Sequence, residues 1–316
     1  MSAVIRSATR GRAALAELGY SAGDDEPLRA SDASFRNGGK YGVEIPAINT
    51  FRQLEATVGA LRDQEVYCTR FDETHGSILL SSSEISDMLA LCRENGYGLL
   101  IGLGPRPEYD VKATFYRTQF GIEQGRQLNN SDAFAQCVDE AFRLCELGCR
   151  GITVYDVGVL KVLGQLRARR KLPPDLVLKT SSHCMATNPA LASLFAECGA
   201  DAITTAHDLG LPVLQAMRKA APGTVLDIPT DVYKSKGGFI RWFELAEMVQ
   251  ISAPMFFKMG ASVQDHPYDS VKPEAAAERV RRVRVGLEYL KVHGPGAIAP
   301  IEAADRLVCL PVAPGG

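Results

Sequence analysis

Short apolar runs alternate along this chain with stretches whose apolar residues recur every three or four positions. The runs are YGVEIPAI (41–48), EVYCTRF (65–71), YGLLIGLG (97–104), GITVYDV (151–157), DLVLKTS (175–181), DAITTA (201–206), TVLDIP (224–229) and PMFFKMG (254–260). Each is nearly continuous in apolar character, as in strands buried on both faces of a parallel sheet. Between them lie amphipathic helical stretches, among them TFRQLEATVGALRDQ, SSEISDMLALCRENG, SDAFAQCVDEAFRLCELG and NPALASLFAECG. Their ends carry punctuation. Serines and Glu84 open the second and Gly96 stops it, while Ser131 and Gly148 bound the third. The fourth has Asn188 as cap, Pro189 at its first helical position and Gly199 as stop.

Eight strand–helix repeats predict the α/β class and a (β/α)8 TIM barrel spanning 41–295. No GxGxxG accompanies the first strand, which sets an open doubly wound sheet second. Residues 1–40, polar and turn-rich in SAGDDEPLRASDASFRNGGK, read as an N-terminal extension. Residues 296–316 read as a C-terminal tail. Segment 105–130, PRPEYDVKATFYRTQFGIEQGRQLNN, follows the third strand and is too long for an ordinary connection. It is expected to fold over the barrel mouth, with Arg106 or Arg117 reaching inward.

Composition narrows the function. The 316 residues are 46% hydrophobic with a net charge of −2, an ordinary globular balance. Near-neutral charge argues against nucleic acid as the main partner, because phosphate binding needs a clustered positive face. The basic run Arg167-Ala-Arg169-Arg170-Lys171 sits at an expected helix end, where it suits the helix dipole. No stretch of about 20 apolar residues exists and the N-terminus lacks an apolar secretory core. A cytoplasmic protein without a membrane partner is expected, and a homo-oligomer stays open. Of eight cysteines none forms a CxxC pair. Cys137, Cys145 and Cys149 share one helix face and read as core.

In such barrels the chemistry sits at the C-terminal strand ends, and polar residues gather there. Four of the five histidines fall at strand ends: His75, His183, His207 and His266. Histidine changes charge near neutral pH, so an enzyme acting on a small polar or anionic substrate is expected. Lys179 ends the fifth run among Ser181, Ser182 and His183. Desolvation and a facing Lys258 or Lys234 would lower its pKa from about 10.4 toward roughly 7–8. A neutral amine there could form a Schiff base; pairing with Asp156 or Asp208, or holding an anion, are its other readings. His183, His207, Asp208 and Lys258 are the remaining catalytic candidates. Arg70, Arg106, Ser181, Ser182, Asp231, Lys234, Lys236 and Ser262 are candidates for substrate binding. Lys234 and Lys236 add charge just before a glycine pair in DVYKSKGGFIRW, next to KMGAS after the eighth run, where barrels often bind phosphate. Glu44, Asp72 and His75 offer oxygen and nitrogen donors to a divalent metal, although no HxH or HxxxH spacing supports it.

Two family resemblances follow from these residues. LKTSS is similar to the Schiff-base lysine strand of deoxyribose-phosphate aldolases. Residues 178–222, LKTSSHCMATNPALASLFAECGADAITTAHDLGLPVLQAMRKAAP, resemble the collagenase-like peptidase family. The matching positions are Ser181, Ser182, Asn188, Ala192, Gly199, Ala200, Asp208 and Leu209. The family's glutamate-to-HGA segment does not follow, and ETHGSILLSSS (73–83) echoes it only upstream. Its late cysteines are also missing, since only Cys309 lies beyond residue 198. The resemblance therefore implies a barrel, without an iron–sulfur cluster.

The residues together favour a lyase or aldolase-type enzyme on a carbonyl compound, with Lys179 as nucleophile or electrophile. A metal-assisted hydrolase using Glu44, Asp72, His75 and His207 is the alternative. A third reading is a non-catalytic accessory subunit that binds a partner through 1–40 and 105–130.

Overall fold

A computed structural model describes residues 9–24, 26–107, 127–267, 272–294 and 298–315. Segment 108–126, with Arg117 and most of the expected cover, lies outside these residues.

Eight parallel strands form a closed barrel in sequence order. They are β1 (Tyr41–Pro46), β2 (Arg70–Glu73), β3 (Gly98–Gly102), β4 (Gly151–Val154), β5 (Val177–Thr180), β6 (Ala202–Thr204), β7 (Val225–Pro229) and β8 (Met255–Lys258). Helices α2 (Phe51–Asp63), α3 (Ser82–Asn95), α4 (Ser131–Glu146), α5 (Val157–Ala168), α6 (Pro189–Glu197), α7 (Leu211–Ala220), α8 (Leu245–Ser252) and α9 (Pro273–His293) lie outside, and α1 (Arg10–Glu17) precedes the barrel. The chain is a (β/α)8 barrel.

The punctuation works as side-chain chemistry. Ser81 accepts from Glu84 N at the start of α3, and Gly96 ends that helix in the left-handed conformation. Asn188 accepts from Leu191 N before Pro189. Asn130, not Ser131, caps α4, accepting from Ala133 N. Cys137, Cys145 and Cys149 are buried.

The second run needs correction. EVYCTRF ends almost where β2 begins, and the strand is RFDE. The apolar residues Val66 and Cys68 pack on the way in, while the strand proper alternates charge inward with Phe71 outward. Arg70 therefore opens its strand instead of ending it.

The foot of the barrel is closed by both ends of the chain. Phe35 packs with Phe256, Ile301 and Val308. Ile301 N donates to Tyr41 O at 2.7 Å, and Leu99 N to Cys309 O at 3.2 Å. The tail passes so close to β3 that a Cβ on Gly98 would stand 1.6 Å from Val308 O. Only glycine leaves room there.

Candidate functional site

The register sets the interior. Residues paired across neighbouring parallel strands face the same way, and Glu44 pairs with both Arg70 and Lys258. Asp72 lies two residues beyond Arg70 and so shares its face. Lys179 enters from β5 and Asp227 from β7.

These six side chains form one buried ionic layer. Lys179 Nζ donates to Glu44 Oε1 at 2.7 Å and Asp72 Oδ2 at 2.8 Å, with Asp227 Oδ2 at 3.6 Å. Lys258 Nζ donates to the same Glu44 oxygen and to Asp72 Oδ2, the latter at 2.9 Å. Arg70 bridges Glu44 Oε2 at 2.8 Å and Asp227 Oδ2 at 2.6 Å. It also donates to Leu307 O at 2.6 Å and lies 3.6 Å over the Phe256 ring. Thr153 Oγ1 donates to Asp72 Oδ1 at 2.7 Å. Three carboxylates thus face three cations. That balance is what makes burial of charge tolerable.

Protonation follows the layer. Burial would raise the Glu44 carboxyl, but Lys179, Lys258 and Arg70 outweigh it and hold Glu44 well below the usual range. Burial prevails at Asp227, which is raised despite Arg70; its Oδ1 has no hydrogen-bond partner. At Lys258 burial is overcome by Asp72, Glu44 and Asp227, so the ammonium is held more firmly than an ordinary lysine.

Above the layer, at the C-terminal mouth, lies a cavity that opens to solvent. Asp72 and Lys258 belong to its floor; Ser181, Ser182, His183, His207, Asp231 and Lys236 line its wall. Lys258 keeps 11% side-chain exposure and Lys179 none. An ammonium has three N–H donors. Two of those on Lys258 go to Glu44 and Asp72, leaving one for the cavity.

His207 is the wall's distinctive group. Burial first, then repulsion by Lys236 and Lys258, lowers its pKa to about 4 against the opposing pull of Asp208. It is neutral at pH 7 and can accept a proton. His183 packs beside the Tyr155 ring, centroids 6.2 Å apart.

The predicted residues thus separate into groups. Ser181, Ser182, His183, His207, Asp231, Lys236 and Lys258 meet around one cavity. Lys179 and Arg70 do not line it; they sit in the layer beneath. Lys179 is paired with Glu44 and Asp72, not with Asp156 or Asp208. Asp156 instead caps α5, accepting from Val159 N, and Asp208 is exposed. Lys234 is an exposed partner of Asp265 at 2.7 Å. Arg106 turns onto the Tyr155 ring at 4.7 Å and donates to His75 O.

Glu44, Asp72 and His75 are not brought together. Both carboxylates are turned to ammonium groups, and His75 lies in the loop beyond β2. Among the described residues no three His, Cys, Asp or Glu side chains gather as a metal set.

Sequence reasoning assigned no role to Asp227, Thr204, Tyr155 or Tyr233. Asp227 carried a readable signal, a single charge inside the apolar run VLDIP. Tyr233, which lines the cavity, carried none.

No family model matches this chain, and no curated protein sequence does. Solved structures match in fold. The U32 peptidase Mk0906 is 14% identical, with a TM-score of 0.43 over 74% of this chain and 96% of that one. The YdjI aldolase from Escherichia coli K12 is 13% identical, with a TM-score of 0.47 over 81% and 92%. Deoxyribose phosphate aldolase from Aeropyrum pernix is 10% identical, with a TM-score of 0.46 over 78% and 88%. The similarity to a peptidase read from residues 178–222 stands at the level of the barrel alone. Among the described residues no helix is long and apolar enough to cross a membrane.

Proposed function

We propose that this barrel is a lyase or aldolase-type enzyme acting at its mouth on a small, negatively charged carbonyl compound. The observation that carries this reading is a firmly charged Lys258 and a neutral His207 lining the same cavity. A fixed cation stabilises the oxyanion that develops when a carbonyl compound loses a proton or a carbon–carbon bond. A neutral imidazole supplies the base.

In the cleavage direction His207 takes the proton of the substrate hydroxyl. The carbon–carbon bond breaks, and its electron pair moves onto the acceptor carbonyl as an enolate whose oxygen faces Lys258. The imidazolium then returns its proton to the enolate carbon, restoring His207. Lys236 at the rim suits the substrate's negative charge, and His183 is the second proton-transfer candidate.

Lys179 supports this chemistry from beneath. A Schiff base needs a neutral amine in reach of substrate, whereas Lys179 donates to two carboxylates and has no exposed surface. Its role in this reading is to keep the layer neutral, so that Glu44 and Asp72 hold Lys258 in place.

The test is deuterium exchange in D2O, followed by proton NMR over a panel of short hydroxy- and keto-acids. At least one compound should exchange or cleave. Its rate should fall by about 10²–10⁴ in His207→Gln and show an acid limb near pH 4, the His207 value. Borohydride added during turnover should leave no adduct. An adduct on Lys179 would restore the Schiff-base mechanism; a panel without exchange would overturn the proposal.

A further inference from the structure

The loop after β8 forms a small donor cradle. Ala261 N, the Ser262 hydroxyl and, behind it, the Arg282 guanidinium converge on one point. Barrels use this region, after their last two strands, to hold substrate phosphate. Here the point is occupied by the protein itself. Asp231, two residues beyond β7, accepts from Ala261 N at 2.8 Å through Oδ1 and from Ser262 Oγ at 2.8 Å through Oδ2. Ser262 Oγ in turn accepts from Arg282 Nη1 at 2.5 Å. Asp231 is 1% exposed, yet it lines the cavity.

We infer that Asp231 is a resident anion that closes this cradle to phosphate, so that the enzyme takes an unphosphorylated substrate presenting a hydrogen-bond donor to Asp231. Two facts support the assignment beyond the contacts. Arg282 is shared with a second carboxylate, pairing with Glu278 at 3.0 Å. A phosphate entering here would meet a carboxylate at contact distance in a water-poor site, where like charges repel strongly. A substrate hydroxyl, by contrast, can donate to the carboxylate. The negative charge of the substrate then belongs at the other side, with Lys236 and Lys258, and is a carboxylate. This choice deepens the lyase reading and rests on it for the word substrate. The cradle's selectivity does not.

The test therefore uses inorganic phosphate alone, without turnover. Melting temperature and the phosphorus NMR linewidth are followed against phosphate concentration for the full chain. A ligand bound only by the folded state raises the melting temperature in a saturable way. The wild type should show no saturable shift. Asp231→Ala should gain one, and adding Ser262→Ala or Arg282→Gln should remove it. Asp231→Ser, which keeps a hydroxyl for Ala261 N, carries the same test if the alanine variant does not fold. A saturable shift in the wild type that Ser262→Ala abolishes would overturn the inference. So would a folded Asp231 variant that gains nothing. Failure of both variants to fold would make Asp231 a structural clamp and overturn its role in selectivity. Deuterium exchange stands or falls separately.

Discussion

Inside the barrel, Glu44, Asp72 and Asp227 face Arg70, Lys179 and Lys258, charge for charge. One level higher, the cavity wall carries His183, His207, Asp231 and Lys236. The residue types are similar; the environments are not. In the lower layer every charge is spent on a neighbour, so the layer sets structure and fixes protonation. In the upper wall burial and the repulsion of Lys236 and Lys258 leave His207 neutral at pH 7. Lys258, with Asp72, belongs to both, and it is the cation of the layer that reaches the cavity. Its position, more than its type, makes it the candidate for chemistry.

The strongest way to break this comparison is to remove a charge from the layer. Lys179→Met leaves Glu44 and Asp72 without a buried partner and should destabilise the fold by about 3–5 kcal/mol, measured by urea unfolding. Wild-type stability in that variant would mean the layer is not a unit. A catalytic lysine would instead fold normally and lose turnover.

A smaller effect sharpens the contrast at the strand end. Glu73 follows Asp72 but points to the opposite face, where Gly76 N and Gly102 N donate to it. Burial raises its pKa from 4.5 to about 7, with Arg106 opposing. Between those values the folded state holds a proton that the unfolded chain has released. Stability contributed by Glu73 is therefore complete below pH 4.5 and declines as pH rises toward 7. Glu73→Gln should remove that decline, so the stability of the variant relative to wild type should improve from pH 5 to pH 8. An unchanged pH slope would place Glu73 with the compensated carboxylates.

The smallest effect is expected at the surface. Lys234 and Asp265 form an ion pair at 2.7 Å, but both side chains are well exposed. Lys234→Ala should change stability by no more than about 0.5 kcal/mol and leave exchange activity unaltered. A large loss of activity would return Lys234 to the substrate-binding set.

The periodicity of the chain carried the barrel, because buried parallel strands and amphipathic helices leave different repeats in the sequence. It also carried the mouth. Ser181, His183, His207 and Asp231 each end or follow a strand, and strand ends share one rim once the barrel closes. What periodicity could not carry was depth and partnership. Lys179 and Lys258 both stand at strand ends in the sequence, yet one is sealed beneath the carboxylates and the other reaches the cavity. Arg70 looked like a strand exit only because the apolar residues before it pack on the approach to β2. That both oxygens of Asp231, a substrate-binding candidate in the sequence, also hold Ala261 N and Ser262 Oγ could be read only from the tertiary structure. Local order in the chain determined the elements and which end of them is polar. Only closure of the barrel decided which charges cancel, because Glu44, Asp72, Lys179 and Lys258 come from four strands and meet through register alone.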